Sequence, residues 1–590
     1  MGQHQRAIVR DLFKRIPDKT IILVFCGLVI TQTVLSLRYK SSTFDEATRF
    51  PSGYSYLLKG DYRLNPEHPP FIKLLVGVPL LFLDIRMPPE KTPWHPEIQF
   101  PYSHQFLYEY NDADTLLFLG RLSVLPLSLL LGTFVFLWAK ELFGRSGSLF
   151  ALFLYSFEPN ILAHGGLVNT DLGITCFIFL TIYGFYQLLN KVSPLRLLLT
   201  GFAFGLALVT KFSSLWIIPI LLLLGLSAVI SRPSITVQSF RGHLVKISGR
   251  GRSLMLVLVV LIAIGLIGYL TIWGSYRFRY EASATSKQSF HGFWDQSLPE
   301  QPLIKQVFLR ARESRALPEA YLFGLSRVIK GTTRDAFLMG EVSKGWWYYF
   351  LVTFVVKTPL PLLLLLALAL SLLPKLWREN RVGALFLIVP VLIYFAIASA
   401  SRLNIGHRHL LPIYPFLFVL AAAVIPWFQK QKVLIKGFLA ALAVWYMVAS
   451  VSIFPHYLAY FNELVGGPEN GYKYLVDSNL DWGQDLRGLK RYMDEHGIKR
   501  VWLSYFGTAS PDYYGIAYNY LPSYIIFNPR RESVPTPFVA ISATNLQGIY
   551  LPALGLDPDT FAAFREKKPL AKIGYSIFIY HLNGARPKIR

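Results

Sequence analysis

A chain of 590 residues that is 53% hydrophobic and only 16% charged is too apolar for a water-soluble enzyme and reads as a protein that crosses a bilayer many times. Its formal charge of +24 invites a nucleic-acid partner, but many of its lysines and arginines fall in short loops between apolar runs. There they report orientation and anionic lipid, so no nucleic-acid partner is expected.

In chain order, Arg6, Arg10, Lys14, Arg15 and Lys19 precede the first apolar run, at about 20–37. Its far end, VLSLRYK, has no small-residue cleavage pattern, so it is read as an uncleaved anchor with a cytoplasmic N-terminus. The outer loop that follows, about 38–114, opens with SSTFDEATRFPSGYSYLLKGDYRLNPEHPPFIKLL and sets Asp45, Glu46, Glu67 and His68 close to the membrane. Carboxylates there are costly to desolvate and usually sit where water and a substrate reach them. The prolines after His68 impose an extended entry into the next run. A solvated connecting loop is the competing reading of the same residues.

Further apolar runs lie at 115–137, 147–162, 171–189, 197–210, 213–230, 254–273, 348–374, 383–399, 410–427 and 437–454, which makes about eleven with the first. A crossing needs roughly 20 residues. Lys140 and Arg145, Lys191 and Arg196, Arg232 to Arg252, Lys375 to Arg381, and Lys430 to Lys436 mark the cytoplasmic loops. The loop at about 274–347 falls outside yet is basic. The charge rule weakens beyond roughly 60 residues, and an anionic ligand is the other explanation. Cys26 and Cys176 both lie within apolar runs, which leaves no disulfide framework and no cysteine metal site. Beyond about 457 the composition shifts: QDLRGLKRYMDEHG has helical period, while KRVWLSYFG, PFVAISA and GYSIFIYHL read as strands. The expected organisation is a membrane domain over 1–456 and a small α/β domain over 457–590 on the outer face.

This topology carries Asp45, Glu46, Glu67, His68, His164, Asp171, Lys211, Lys357, Arg402, His407, Arg408 and His409 to the outer side. Lys211 and Lys357 are embedded in apolar sequence, where a cation near the bilayer centre costs at least about 2.5–3.5 kcal/mol. Snorkelling accounts for either lysine alone. Two of them together with Arg402 and Arg408 point to a phosphate site at membrane level, each charge-assisted hydrogen bond being worth about 1.5–3 kcal/mol. Cations that stabilise a departing phosphate and a carboxylate that deprotonates an incoming hydroxyl make a group transfer from a phosphorylated lipid. Glu67, His68, His164, Asp171 and His407 are the candidate substrate contacts. His407 and His409, two apart, diverge on a helix and would need further ligands to hold a metal; Asp171, in Asn169-Thr170-Asp171, reads equally as part of a helix cap. The alternative function is transport or flipping of a lipid-linked glycan, because intramembrane charges also line transport paths. The symmetric interrupted helices of a transporter are not found.

The segments FDEATRFPSGYSYLLKGDYRLNPEHPP, GLALVTKFS, GWWYYFLVTFVVKTPLP and NIGHRHLLPIYPFL resemble, in order, the phospholipid carrier-dependent glycosyltransferases. These are related to protein O-mannosyltransferases and aminoarabinose transferases. The resemblance spans roughly 20–454, and DSNLDWGQDLRGLKRYMDEHGIKRVWLSYFG is similar to the tail of bacterial members. It implies a polytopic α-helical membrane protein of the GT-C fold and an inverting, mannosyltransferase-like enzyme of a prokaryotic cytoplasmic membrane. The implied donor is a polyprenyl-phosphate monosaccharide, the acceptor bears a hydroxyl (protein, lipid or glycan), and neither metal nor other cofactor is expected. Carried over by position, Asp45 is the general base and Glu46 assists it. Lys211, with Arg402 or Arg408, holds the donor phosphate, and Glu67-His68 stands where relatives carry a charged residue before Pro-Pro.

Overall fold

The computed structural model describes residues 16–89, 98–232, 234–239, 242–284, 290, 292–331, 334–523, 533–582 and 584. Apolar sequence wound as helix satisfies its own backbone, the condition for crossing lipid. Among the described residues, eight helices are long and apolar enough to cross a membrane: Asp18–Leu37, Ala113–Ser156, Asp171–Asn190, Phe212–Ser231, Arg250–Ser275, Arg381–Ala400, His407–Phe428 and Val433–Ser452. A ninth forms if Tyr349–Lys357 and Leu360–Ser371, which meet at 111°, are one broken span. The break has a local cause: Pro359 offers no N–H to continue the helix, and Thr358 before it is extended.

The sequence count is higher for physical reasons. Two of its runs meet within Ala113–Ser156, which is two helices joined across a kink at Gly144 with φ 70°, where the sequence places the break between them. Another is Pro194–Leu208, of only 15 residues. The most enclosed spans are His407–Phe428, 83% buried over its apolar window, and Asp171–Asn190, 78% buried. These two form the centre of the bundle. The apolar side chains of Leu222, Leu226, Met255, Val259, Ile262 and Leu266 remain exposed on peripheral helices, as expected of surfaces that meet lipid.

Two short helices carry the acidic first loop. Glu46–Lys59 and Phe71–Leu80 touch backbone to backbone: a Cβ on Gly53 would lie 2.1 Å from the Lys73 carbonyl oxygen, and one on Gly77 would lie 2.6 Å from the Gly53 carbonyl. Only glycine permits that approach, and it fixes where the Glu46 helix begins. The ends of Asp18–Leu37 identify the two sides of the bundle. Its first residue, Asp18, pairs with Lys140, whereas Lys40, just past its last turn, bonds Asp485 at 2.6 Å.

That second side bears a five-stranded sheet of β1 (Val501–Ser504), β2 (Tyr518–Tyr520), β3 (Phe538–Ser542), β4 (Ala571–Ile573) and β5 (Ile577–His581), in the order β2-β1-β3-β5-β4. Strand β1 runs parallel to β2 and β3, and β5 antiparallel to β3 and β4. The helix Leu486–Glu495 buries Leu486, Leu489 and Met493 along one stripe. Residues 457–485 run as short turns over the membrane helices, held by Asn462, whose amide donates to the carbonyls of Val355 (2.6 Å) and Thr358 (2.8 Å).

Candidate functional site

Four charged side chains from four elements meet on the sheet side. Asp45 precedes the helix Glu46–Lys59. Asp171 opens the central span, its amide capped by Asn169 Oδ1 at 3.0 Å. Lys211 stands before the 3-10 turn Phe212–Trp216, and Arg408 lies in the 3-10 turn His407–Ile413. Arg408 Nη1 donates to Asp45 Oδ2 at 2.8 Å and to Asp171 Oδ2 at 3.2 Å. Lys211 Nζ donates to Asp171 Oδ1 at 2.6 Å and lies 3.5 Å from His409 Nδ1. Two carboxylates balance two cations, as buried charge requires. Side-chain exposure differs sharply, at 23% for Asp45, 9% for Arg408 and 1% for Asp171. Asp45 is therefore the more solvent-accessible of the two carboxylates.

The network also has polar atoms with nothing to bond. Arg408 Nε, His409 Nε2, His68 Nδ1 and Arg49 Nε are buried without a hydrogen-bond partner. Buried polar atoms are seldom left so, and these four belong to residues in or beside the ion-pair network. His68 is kept neutral: burial, then the neighbouring cations Arg49, Lys211 and Lys73, hold its imidazole well below the ordinary value.

Glu46 faces the other way. Its carboxylate accepts from Arg121 Nε (2.9 Å) and Nη2 (2.7 Å) and from the amides of Thr43 (2.8 Å) and Val168 (3.0 Å). Burial opposes its charge, but Arg121 and the two amides outweigh that and hold the carboxyl below its ordinary value. Arg121 also donates to the carbonyls of Lys40 (3.1 Å) and Ser41 (2.8 Å), so this pair shapes the turn that presents Asp45. Glu67 accepts from Arg327 Nε (3.0 Å), Gln99 (3.1 Å) and Asn65 (3.3 Å). Lys73 Nζ binds the carbonyls of Asn65 (2.5 Å) and His68 (2.6 Å) and so pins the loop before the two prolines.

The other predicted residues are placed differently. Lys357 Nζ donates to the carbonyls of Leu458 (2.9 Å) and Asn479 (2.7 Å) and lies over the Phe461 ring. His407 bonds Tyr414 Oη at 2.7 Å within the bundle. His164 contacts Asn169 at 3.1 Å and meets the Trp482 ring edge-on. Arg402 is exposed on its loop. Among the described residues, no group of three or more His, Cys, Asp or Glu side chains could hold a metal ion.

Arg49, Lys73, Arg121, Arg327 and Trp482 take part here without having been singled out by the sequence. Arg121 carried a usable signal, because a lone cation inside LLFLGRLSVLPL is the same anomaly as Lys211. Arg49 stands four residues after Asp45, one helical turn on.

Residues 117–262 match the family model described as dolichyl-phosphate-mannose-protein mannosyltransferase. Over that stretch the match agrees with the resemblance to protein O-mannosyltransferases and their lipid-carrier-dependent relatives. The whole chain is similar to the crystal structure of ArnT from Cupriavidus metallidurans bound to undecaprenyl phosphate, at 14% identity and TM-score 0.43, covering 95% of this chain and 97% of that one. It is also similar to the archaeal oligosaccharyltransferase AglB from Archaeoglobus fulgidus in complex with an inhibitory peptide and a dolichol-phosphate, at 13% identity and TM-score 0.46, covering 82% of this chain and 60% of that one. No curated protein matches the sequence.

Proposed function

We propose that this protein is a membrane glycosyltransferase that moves a monosaccharide from a polyprenyl-phosphate donor to a hydroxyl acceptor, at the non-cytoplasmic face. One observation carries the reading: Arg408 bridges Asp45 and Asp171 while Lys211 occupies the other oxygen of Asp171. The family match over 117–262 supports the lipid-phosphate donor. The basic residues Lys140 and Arg145 near Asp18, at the far end of the first span, support the sidedness.

In the proposed reaction the acceptor oxygen attacks the anomeric carbon as its proton passes to Asp45. The bond from that carbon to the phosphate oxygen breaks, its electron pair stays with the phosphate, and the sugar inverts. The charge that grows on the phosphate meets Arg408 and Lys211, cations already fixed in place by Asp171 and therefore needing little reorganisation. Asp45, the most exposed member of the network, is the proton acceptor, and Glu46 is a positioning residue because its oxygens are all engaged.

The test is transfer by purified protein against a panel of polyprenyl-phosphate sugars, in wild-type and Lys211→Ala forms. Turnover with at least one donor is expected, with donor affinity reduced about tenfold to a hundredfold in the variant, the worth of one charge-assisted hydrogen bond. Unchanged donor affinity in Lys211→Ala would remove the phosphate role of that lysine.

A further inference from the structure

The segment Asp477–Asp485, DSNLDWGQD, belongs to no span and no strand, yet it holds both loops that carry the site. On one flank Phe44 N donates to the Trp482 carbonyl at 2.8 Å, Ser41 N to the Gln484 carbonyl at 2.9 Å, and Ser41 Oγ to the Gly483 carbonyl at 3.1 Å. This short ladder ends one residue before Asp45. On the other flank Ser478 Oγ donates to the Ile405 carbonyl at 2.8 Å, and Asn479 Oδ1 accepts from His407 N at 2.8 Å, directly before Arg408. Between the flanks lies the indole of Trp482, 1% exposed, with the guanidinium carbon of Arg408 4.3 Å from its ring centroid. The next residue, Gly483, has φ 89°, and a Cβ there would lie 2.8 Å from Gly507 Cα, so the turn that delivers the indole is specific to glycine.

The carbonyl of residue 482 would bond Phe44 whatever its side chain. What tryptophan adds is a flat π face that fixes the plane of a guanidinium while leaving its N–H groups free to bond. Arg408 uses that freedom, with Nη1 on two carboxylates and Nε buried and unpartnered.

We propose that Trp482 is a positioning residue of the phosphate site. It sets the Arg408 guanidinium by stacking and the Asp45 loop through its carbonyl, so that a segment outside the bundle completes a site the spans alone leave open. The inference rests on the reading of Arg408 as a phosphate ligand.

The test uses the full chain in lipid nanodiscs, with undecaprenyl phosphate as the probe, and follows affinity and melting temperature together. Wild type is expected to bind. Trp482→Leu should lose about thirtyfold in affinity, the equivalent of about 2 kcal/mol, and Trp482→Phe should recover to within about threefold of wild type. In an Arg408→Gln background, which removes the cation from the ring, Trp482→Leu should cost no more than about twofold further, because coupled residues are not additive. If Trp482→Leu does not fold, the series Trp, Tyr, Phe, His at this position carries the test, with affinity falling along it as the ring becomes a poorer partner for a cation. A Trp482→Leu protein that melts lower but binds like wild type, effects additive with Arg408→Gln, or affinity indifferent to the ring would each overturn the inference. Failure of wild type to bind the lipid phosphate would instead remove the site reading and this inference with it.

Discussion

Asp171 is the residue on which the ion-pair network turns, since it alone touches both Lys211 and Arg408. Asp171→Asn should destabilise the protein by about 3–5 kcal/mol, because removing one partner strands buried charge. Undecaprenyl phosphate should then raise the melting temperature of the variant more than that of wild type, as the phosphate replaces the lost anion; equal rises would count against a phosphate seat between the two cations. A second buried carboxylate behaves oppositely. Asp481 has one oxygen without a partner, and burial pushes its carboxyl up from 3.8 to about 8. A raised pKa means its contribution to stability is complete below pH 3.8 and is lost as pH rises through about 8. Asp481→Asn should therefore melt higher than wild type at pH 8–9, with the gain shrinking towards pH 4, which differential scanning fluorimetry across that range would check. At this scale the sequence was informative about charge anomalies and silent about their partners. Lys211 and Lys357 look alike in sequence, each a lone cation in apolar surroundings. Only the fold shows that one faces a carboxylate and the other caps backbone carbonyls.

The element that presents Asp45 is the helix Glu46–Lys59, and its first turn is held by the Glu46–Arg121 pair. A carboxyl depressed in the folded state stabilises above its unfolded pKa and ceases to do so as pH falls through the folded one. Glu46→Gln should thus melt well below wild type at pH 7, by about 3–5 kcal/mol for a broken buried pair. The gap should close as pH drops below 4.5, the ordinary value for this carboxyl. A gap independent of pH would mean the ion pair is not what holds the turn. Hydrophobic length alone located nearly every span, because lipid imposes one rule on all of them. It failed on the bend at Thr358-Pro359, which the single run 348–374 passes over although Pro359 marks it, whereas the kink at Gly144 falls between two runs. The helix Glu46–Lys59 escaped notice for a related reason: its closeness to Phe71–Leu80 rests on Gly53 and Gly77, which look like turn residues in sequence.

Across the whole molecule, the bundle is tied to the segment that precedes the sheet, because residues 41–44 hydrogen-bond to residues 482–484 and Lys40 pairs with Asp485. A chain ending at residue 456 should therefore lose undecaprenyl-phosphate binding altogether. Retained binding would make the sheet an accessory. The sequence disclosed that a small α/β unit follows the last span, through a change of period and composition after about 457. It could not disclose the seat of that unit, because the contacts join positions more than four hundred residues apart. The account as a whole stands on Asp45 as the proton acceptor beside a fixed phosphate seat. Its most direct test is the turnover of Asp45→Asn on whichever polyprenyl-phosphate sugar wild type uses, with undecaprenyl-phosphate affinity followed in the same preparation. The prediction is a fall of about 10²–10⁴-fold in turnover, the usual worth of a general base, with affinity held within about threefold. Turnover at the wild-type rate would contradict it.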